Sequence, residues 1–274
     1  MEKMTKNPSS YTYLIDISYI GKDFNGFQSQ SDGNGIQDHL EKAISTLLRK
    51  KVKVKGASRT DRGVHAFSQK AVFVLEEVLD TFRFLRSVNA ILTRGISIKS
   101  VSEIEANFDP IKRAQAKVYR YSIWFGHCYD PFVSPFVWEI PRIADRELFE
   151  KELKLFEGTH DFTSFCNTDS SAKTKTRTIL KTHVESYENS CDLWILGEGF
   201  LKQMIRIIAG TLVERSLDKK EIPTIPELLK LKDRVRSGQT APAKALSLVE
   251  IFYNNPPELL SYIEEKKKKA FLYR

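Results

Sequence analysis

The chain has 274 residues, of which 43 are lysine or arginine and 35 are aspartate or glutamate, so its formal net charge is +8. This length predicts one large or two modest domains, each able to bury its own core without disulfides or metal. A hydrophobic fraction of 41% excludes disorder over most of the chain. The positive surplus indicates an anionic partner, either nucleic acid or an acidic membrane surface.

Strands and helices alternate in the first half of the chain. Apolar and polar residues alternate from Tyr11 to Tyr19, which is typical of a half-buried strand. From Ile36 to Leu47, apolar residues recur at one-turn spacing and predict a helix that begins near Asn34 or Gly35. Lysine and valine alternate over 51–55, which predicts a strand with one basic face, and 71–75 reads as another strand.

The second half repeats this alternation. Its patterns predict a strand over 118–125, a helix over 146–156, strands near 177–187 and 193–196, and a long helix with an apolar stripe from Leu201 to Leu212. The short links between strands suit antiparallel pairing. We therefore predict an α+β fold of two similar α/β halves with mainly antiparallel sheets, divided into domains at 1–105 and 106–274.

The expected cellular location and the expected lack of a metal site both rest on motifs that the sequence does not contain. The first ten residues are polar, and no apolar run approaches the roughly 18 residues of a membrane span, so we expect no signal peptide, no membrane segment and a cytoplasmic location. The three cysteines lie far apart, and the five histidines lie outside the spacings typical of metal ligands. We expect no metal site.

The loop over 56–69, GASRTDRGVHAFSQ, is the most unusual segment of the chain. It places Asp61 between two predicted strands, with Arg59 two residues before it and Arg62 directly after it. Nearby guanidinium groups would keep Asp61 ionised, which suits a nucleophile or a general base. An ordinary turn aspartate beside solvated arginines is the alternative interpretation of such a sequence.

This loop resembles the G-R-T-D-x-G-V-H-A signature of the tRNA pseudouridine synthase A family. Six further segments resemble the other motifs of that family in the same order, and the resemblance runs from Tyr11 to about Tyr253. These segments are residues 19–28, 36–43, 118–121, 158–165, 200–212 and 240–248.

The resemblance implies an isomerase that converts uridine to pseudouridine in tRNA without a cofactor or metal. It implies that Asp61 is the catalytic carboxylate, either as nucleophile at C1′ or as base at C2′, and that Arg206 pairs with it. Helix geometry agrees, because Arg206 lies about 140° from the centre of its apolar stripe. Tyr119 would stack on the target base, Tyr121 would belong to the core, and Arg59 would contact phosphate or orient Asp61.

The same resemblance implies a central RNA-binding cleft, a homodimer, and uridines 38 to 40 of the anticodon arm as targets. Four residues depart from the family pattern, and they leave open a synthase that acts on other tRNA or RNA positions. A non-catalytic RNA-binding paralogue is a further alternative. A membrane-surface protein is disfavoured because no basic amphipathic helix with bulky apolar anchors is evident. The departures are Phe27 for Trp, Ser58 for Gly, Ile111 for Arg and Ala245 for Gly.

Overall fold

A computed structural model gives the structure of the protein and describes residues 10–140, 145–217 and 221–269. The polar segment at residues 1–9 lies outside the described residues. The chain forms two compact units, residues 1–113 and 114–274. Each unit contains a mainly antiparallel sheet with helices, so the predicted α+β class is confirmed. In the described ranges, no helix is long and apolar enough to cross a membrane.

The first unit is a sheet with the strand order β4, β1, β3, in which all pairings are antiparallel. The short strand β2 pairs with β3. The elements in chain order are β1 (Tyr11–Tyr19), α1 (Ile36–Leu48), β2 (Lys55–Gly56), β3 (His65–Leu75), α2 (Thr81–Ile91) and β4 (Ile96–Ile104).

The alternation of β1 and the apolar stripe of α1 are both confirmed. Tyr13, Ile15 and Ile17 are almost fully buried on one face of β1. Tyr13 stacks on Phe73 of β3 with ring centroids 5.5 Å apart. Helix α1 begins at Ile36, directly after Gly35, and its stripe is buried. These residues form part of the core of the first unit.

The predicted strand over 51–55 is wrong, because only Lys55 of this segment pairs in a sheet. Its alternation in burial is real, since Val52 and Val54 are buried while the lysines are exposed. However, side chains of α1 take the place of a neighbouring strand. The Val52 N–H donates to Ser45 Oγ at 2.9 Å, and the Val54 N–H donates to Glu41 Oε1 at 3.0 Å. The segment is therefore extended but is fixed to a helix.

The second unit contains a five-stranded antiparallel path in the order β10, β5, β9, β8, β7, with β6 parallel to β5. The strands predicted near 177–187 and 193–196 pair in the antiparallel direction, as predicted, since Val184 lies opposite Leu193. The elements in chain order are β5 (Ala116–Phe125), β6 (Trp138–Ile140), α3 (Arg146–Lys154), β7 (Gly158–Asp161), β8 (Thr176–Ser186), β9 (Ser190–Gly197), α4 (Met204–Ser216), α5 (Ile225–Leu231), β10 (Leu246–Phe252) and α6 (Leu259–Lys269).

Helix α4 differs from its predicted form in its start and its burial. It begins at Met204, and Gln203 before it has a left-handed backbone with φ of 62°. Leu201, predicted as part of the apolar stripe, lies before the helix. The helix is buried around most of its circumference, and only Arg206, Arg215 and Ser216 are partly exposed. Arg206 is therefore the one residue of the first three helical turns whose side chain reaches the surface.

Candidate active site

The backbone just before Asp61 is fixed by hydrogen bonds to two other segments of the first unit, strand β3 and the segment around Phe27. The Ala57 N–H donates to the Lys70 carbonyl at 2.8 Å, and Gln69 Nε2 donates to the Ser58 carbonyl at 2.7 Å. The Phe27 N–H donates to the Thr60 carbonyl at 3.1 Å. These bonds hold a polar loop firmly against the sheet, and loops set on a rigid scaffold are where catalytic groups are often found.

The side chain of Thr60 is fixed as well. Its Oγ1 lies 2.8 Å from the hydroxyl oxygen of Tyr19, at the end of β1, within a buried hydrogen bond. Asp61 follows directly and is partly exposed, while Arg59 and Arg62 are exposed. A turn follows, in which the Val64 N–H donates to the Asp61 carbonyl at 3.2 Å. The loop therefore carries a partly exposed Asp61 that is flanked in the sequence by two exposed arginines.

Gly26 lets a neighbouring segment approach this loop at very short range. Its φ is +88°, and a Cβ added to it would lie 2.5 Å from the Thr60 carbonyl oxygen. Any side chain at residue 26 would therefore collide with the backbone that carries Asp61. This contact explains Gly26, the second of the two glycines in the 19–28 motif.

Tyr119 and Tyr121 lie on the same face of β5 in the second unit. Tyr121 is fully buried, and its hydroxyl donates to the Pro242 carbonyl at 3.0 Å, so its predicted core position is confirmed. Tyr119 is 6% exposed and packs edge-on against Phe200, with ring centroids 5.1 Å apart. Its predicted role as the base-stacking residue stays a prediction.

Arg206, the third residue of α4, is also in the second unit. Its Nε donates to the Ala241 carbonyl at 2.7 Å, and the Ala241 N–H donates to the Arg206 carbonyl at 3.1 Å. The side chain is partly exposed, in agreement with its predicted position away from the apolar stripe. The bond at Nε fixes the plane of the guanidinium group.

Three residues that lie beside the candidate residues were not predicted from the sequence. Gln69 and Phe200 lie within family-like segments, but their contacts with Ser58 and Tyr119 depend on the tertiary fold. Lys117 shares the β5 face of Tyr119, and burial lowers its pKa to about 8. Its place two residues before Tyr119 in a strand is the signal that could have indicated it.

The departure at Ile111 lies in a turn organised by an aspartate. The Asp109 carboxylate accepts the N–H groups of Ile111 and Lys112 at 3.0 and 3.3 Å and pairs with Lys55 Nζ at 2.8 Å. The hydrogen bond from Lys55 lowers the pKa of Asp109 below its ordinary value, against a smaller effect of burial that raises it. The Ile111 side chain is 49% exposed, so the turn presents an apolar group where the family has an arginine.

Comparisons with known proteins identify the class of this protein, which is that of the pseudouridine synthases. The family model described as tRNA pseudouridine synthase matches residues 17–110 and 153–254. Asp61, Arg59 and Arg206 lie within these ranges, and Tyr119 lies between them.

Curated relatives extend the match over most of the chain. The tRNA pseudouridine synthase A of Acetivibrio thermocellus is 37% identical over 237 residues, which cover 86% of this chain and 97% of the relative. The tRNA pseudouridine synthase A 1 of Protochlamydia amoebophila is 35% identical over 249 residues, which cover 89% and 97%. The chain belongs to the tRNA pseudouridine synthase family.

The contact at Gly26 predicts a large effect of adding one methyl group. Gly26→Ala should lower the free energy of unfolding by the cost of a left-handed alanine, about 1–2 kcal/mol, and by about 1–3 kcal/mol more for the collision with the Thr60 carbonyl. Urea denaturation measures both terms together.

Gly33→Ala is the matched control, because Gly33 also has a positive φ but nothing lies within 4 Å of an added Cβ. This variant should show only the backbone cost. Equal destabilisation by the two substitutions would contradict the assigned contact between Gly26 and the Asp61 loop.

Proposed function

We propose that this chain isomerises uridine to pseudouridine in tRNA, with Asp61 as the catalytic carboxylate. The C1′–N1 bond breaks, the uracil turns, and C1′ bonds to C5, which gives up its proton while N1 gains one. The elemental composition of the nucleotide does not change, so the reaction is an isomerisation that consumes no cofactor. The observation that carries the proposal is a partly exposed Asp61 on a loop fixed by Tyr19, Phe27 and Gln69, in a member of this family.

One carboxylate is sufficient for this reaction. A glycosidase usually needs a second acidic group to protonate the leaving group. Here the departing uracil stays bound and is used again as the acceptor of the new bond. Asp61 acts either as a nucleophile at C1′ or as a base at C2′.

Arg206 is proposed to pair with Asp61. The hydrogen bond from its Nε to the Ala241 carbonyl supports this role, because it fixes the guanidinium plane before a substrate binds. Guanidinium groups bind carboxylates best in a planar, two-point geometry.

Tyr119 is proposed to stack on the target uracil after the base leaves its helix. Unstacking a base costs a few kcal/mol, and an aromatic ring can recover part of this cost. The edge contact from Phe200 supports this role because it fixes the orientation of the Tyr119 ring.

The basic segment 49–55 is proposed to contact the tRNA backbone close to Asp61. Part of its charge is used within the protein, since Lys53 pairs with Glu41 and Lys55 pairs with Asp109, both at 2.8 Å. Arg49 and Lys51 are exposed as well. A row of lysines on the outer side of an extended segment suits phosphate contacts, which position an RNA without reading its sequence.

The proposed targets are uridines 38, 39 and 40 of the anticodon arm, in the cytoplasm. The family resemblance supports both, and the exposed Ile111 is the feature of this chain that favours other tRNA positions as the alternative. A homodimer is proposed on the same grounds. Sedimentation velocity should give twice the 31.5 kDa chain mass, and a monomer over the working concentration range would contradict it.

Loss of the Asp61 carboxylate should abolish the reaction without abolishing binding. We expect Asp61→Asn to bind tRNA like the wild type but to release no tritium from tRNA labelled at uridine C5, because the amide can act neither as nucleophile nor as base. Label release and filter binding measure the two properties separately.

Asp23→Asn is the control, since Asp23 is an exposed aspartate of the same unit outside the Asp61 loop. It should release label at the wild-type rate. Full release by Asp61→Asn would overturn the assignment of Asp61, and tRNA binding without any release by the wild type would favour the non-catalytic paralogue.

The two arginines beside Asp61 should differ in their importance. Both are exposed, but only Arg59 is proposed to contact substrate. Arg59→Ala should raise KM for tRNA about tenfold, the loss expected for one charge-assisted hydrogen bond, while Arg62→Ala should change KM little. Steady-state kinetics at one salt concentration would test this, and equal effects of the two variants would contradict the role of Arg59.

A further inference from the structure

A segment after α5, residues 238–242, runs alongside helix α4 and is called the strap. The Gly238 N–H donates to Thr211 Oγ1 at 3.0 Å. The Gln239 carbonyl oxygen lies so close to Gly210 that a Cβ there would come within 1.9 Å of it. The Ala241 N–H donates to the Arg206 carbonyl at 3.1 Å. The strap is therefore fixed to the helix over about one and a half turns.

Two successive carbonyl groups of the strap connect Arg206 with Tyr121. The Ala241 carbonyl accepts from Arg206 Nε at 2.7 Å, and the Pro242 carbonyl accepts from the Tyr121 hydroxyl at 3.0 Å. Tyr121 is fully buried and packs edge-on against Trp138 with ring centroids 6.3 Å apart. A side chain in such a position has little freedom to move, so its hydroxyl is a fixed reference for the strap.

Electrostatics keep this hydroxyl a donor. Burial raises the pKa of Tyr121 well above its ordinary value, and the positive charge of Arg206 opposes that rise to a smaller degree. The phenol is thus protonated at neutral pH.

We infer that Tyr121 is a positioning residue for Arg206, acting through the Pro242 and Ala241 carbonyls. The inference rests on the proposed function of Arg206. Without the Tyr121 hydroxyl, the Pro242 carbonyl would lose its buried donor and the strap would shift, so the guanidinium plane would lose its fixed orientation. Catalytic groups tolerate little displacement, because an error of about 1 Å can cost up to a hundredfold in rate.

The test is Tyr121→Phe, which keeps the ring and its contact with Trp138 but removes the hydroxyl. We expect kcat for pseudouridine formation to fall about tenfold with KM for tRNA unchanged, because Tyr121 does not contact tRNA in this account. Tyr13→Phe is the matched control. The Tyr13 ring is also buried, and its hydroxyl accepts the Leu79 N–H at 2.8 Å in the other unit. This control should keep wild-type kinetics.

If Tyr121 had only a general structural role, the effect of Tyr121→Phe on kcat would add to the effect of a substitution at Arg206. In an Arg206→Lys background, which has no Nε–H to orient, Tyr121→Phe should have little further effect on kcat. A full tenfold effect in that background would overturn the inference, and so would an unchanged kcat in the single variant.

A second readout does not depend on activity. The Nε–H resonance of Arg206, assigned by its absence in Arg206→Lys, should be protected from exchange in the wild type and in Tyr13→Phe, and should lose protection in Tyr121→Phe. Retained protection would overturn the inference. If the wild type formed no pseudouridine, the proposed function would fail, while this resonance would still report on the strap.

If Tyr121→Phe does not fold, Thr211→Val tests the same strap from its other end by removing the acceptor of the Gly238 N–H. It should also lower kcat at constant KM and expose the Arg206 Nε–H. Wild-type kcat and protection in this variant would contradict the proposed coupling.

Discussion

Thr60 carries the constraint on which the placement of Asp61 depends. Its carbonyl accepts from the backbone of Phe27, and its hydroxyl bonds to Tyr19 at the end of β1. A polar loop without such bonds would open locally at little cost in free energy. Because the residue directly before Asp61 is fixed at both its backbone and its side chain, the position of Asp61 is fixed relative to the sheet.

In the second unit, a backbone hydrogen bond likewise fixes a positively charged residue, Arg206. Arg206 lies in the first turn of a buried helix, and its guanidinium group donates to a backbone carbonyl of the strap. In both units a backbone carbonyl takes part in the contacts that hold a partly exposed charged residue, the Thr60 carbonyl beside Asp61 and the Ala241 carbonyl at Arg206. Such groups can meet a substrate without first paying for their own reorientation, which is the basis of electrostatic preorganisation.

Long and regular patterns could be predicted from the sequence, whereas hydrogen-bond partners could not. The alternation of β1 and the stripe of α1 each specify one buried face, and both were found. The alternation over 51–55 correctly gives the burial of Val52 and Val54, but it cannot show that Ser45 and Glu41 supply their partners. The prediction does not include helix α2 (Thr81–Ile91). The contacts of the strap could not be predicted, because they use backbone carbonyl groups and every residue has one.

The central claim is that this chain makes pseudouridine in tRNA through Asp61. Mapping pseudouridine at single-nucleotide resolution in tRNA from cells that lack the chain, complemented with either the wild type or Asp61→Asn, tests it most directly. We predict that modification at positions 38 to 40 disappears without the chain, returns with the wild type and stays absent with Asp61→Asn. A map that is unchanged by removal of the chain, or that is restored by Asp61→Asn, would contradict the account.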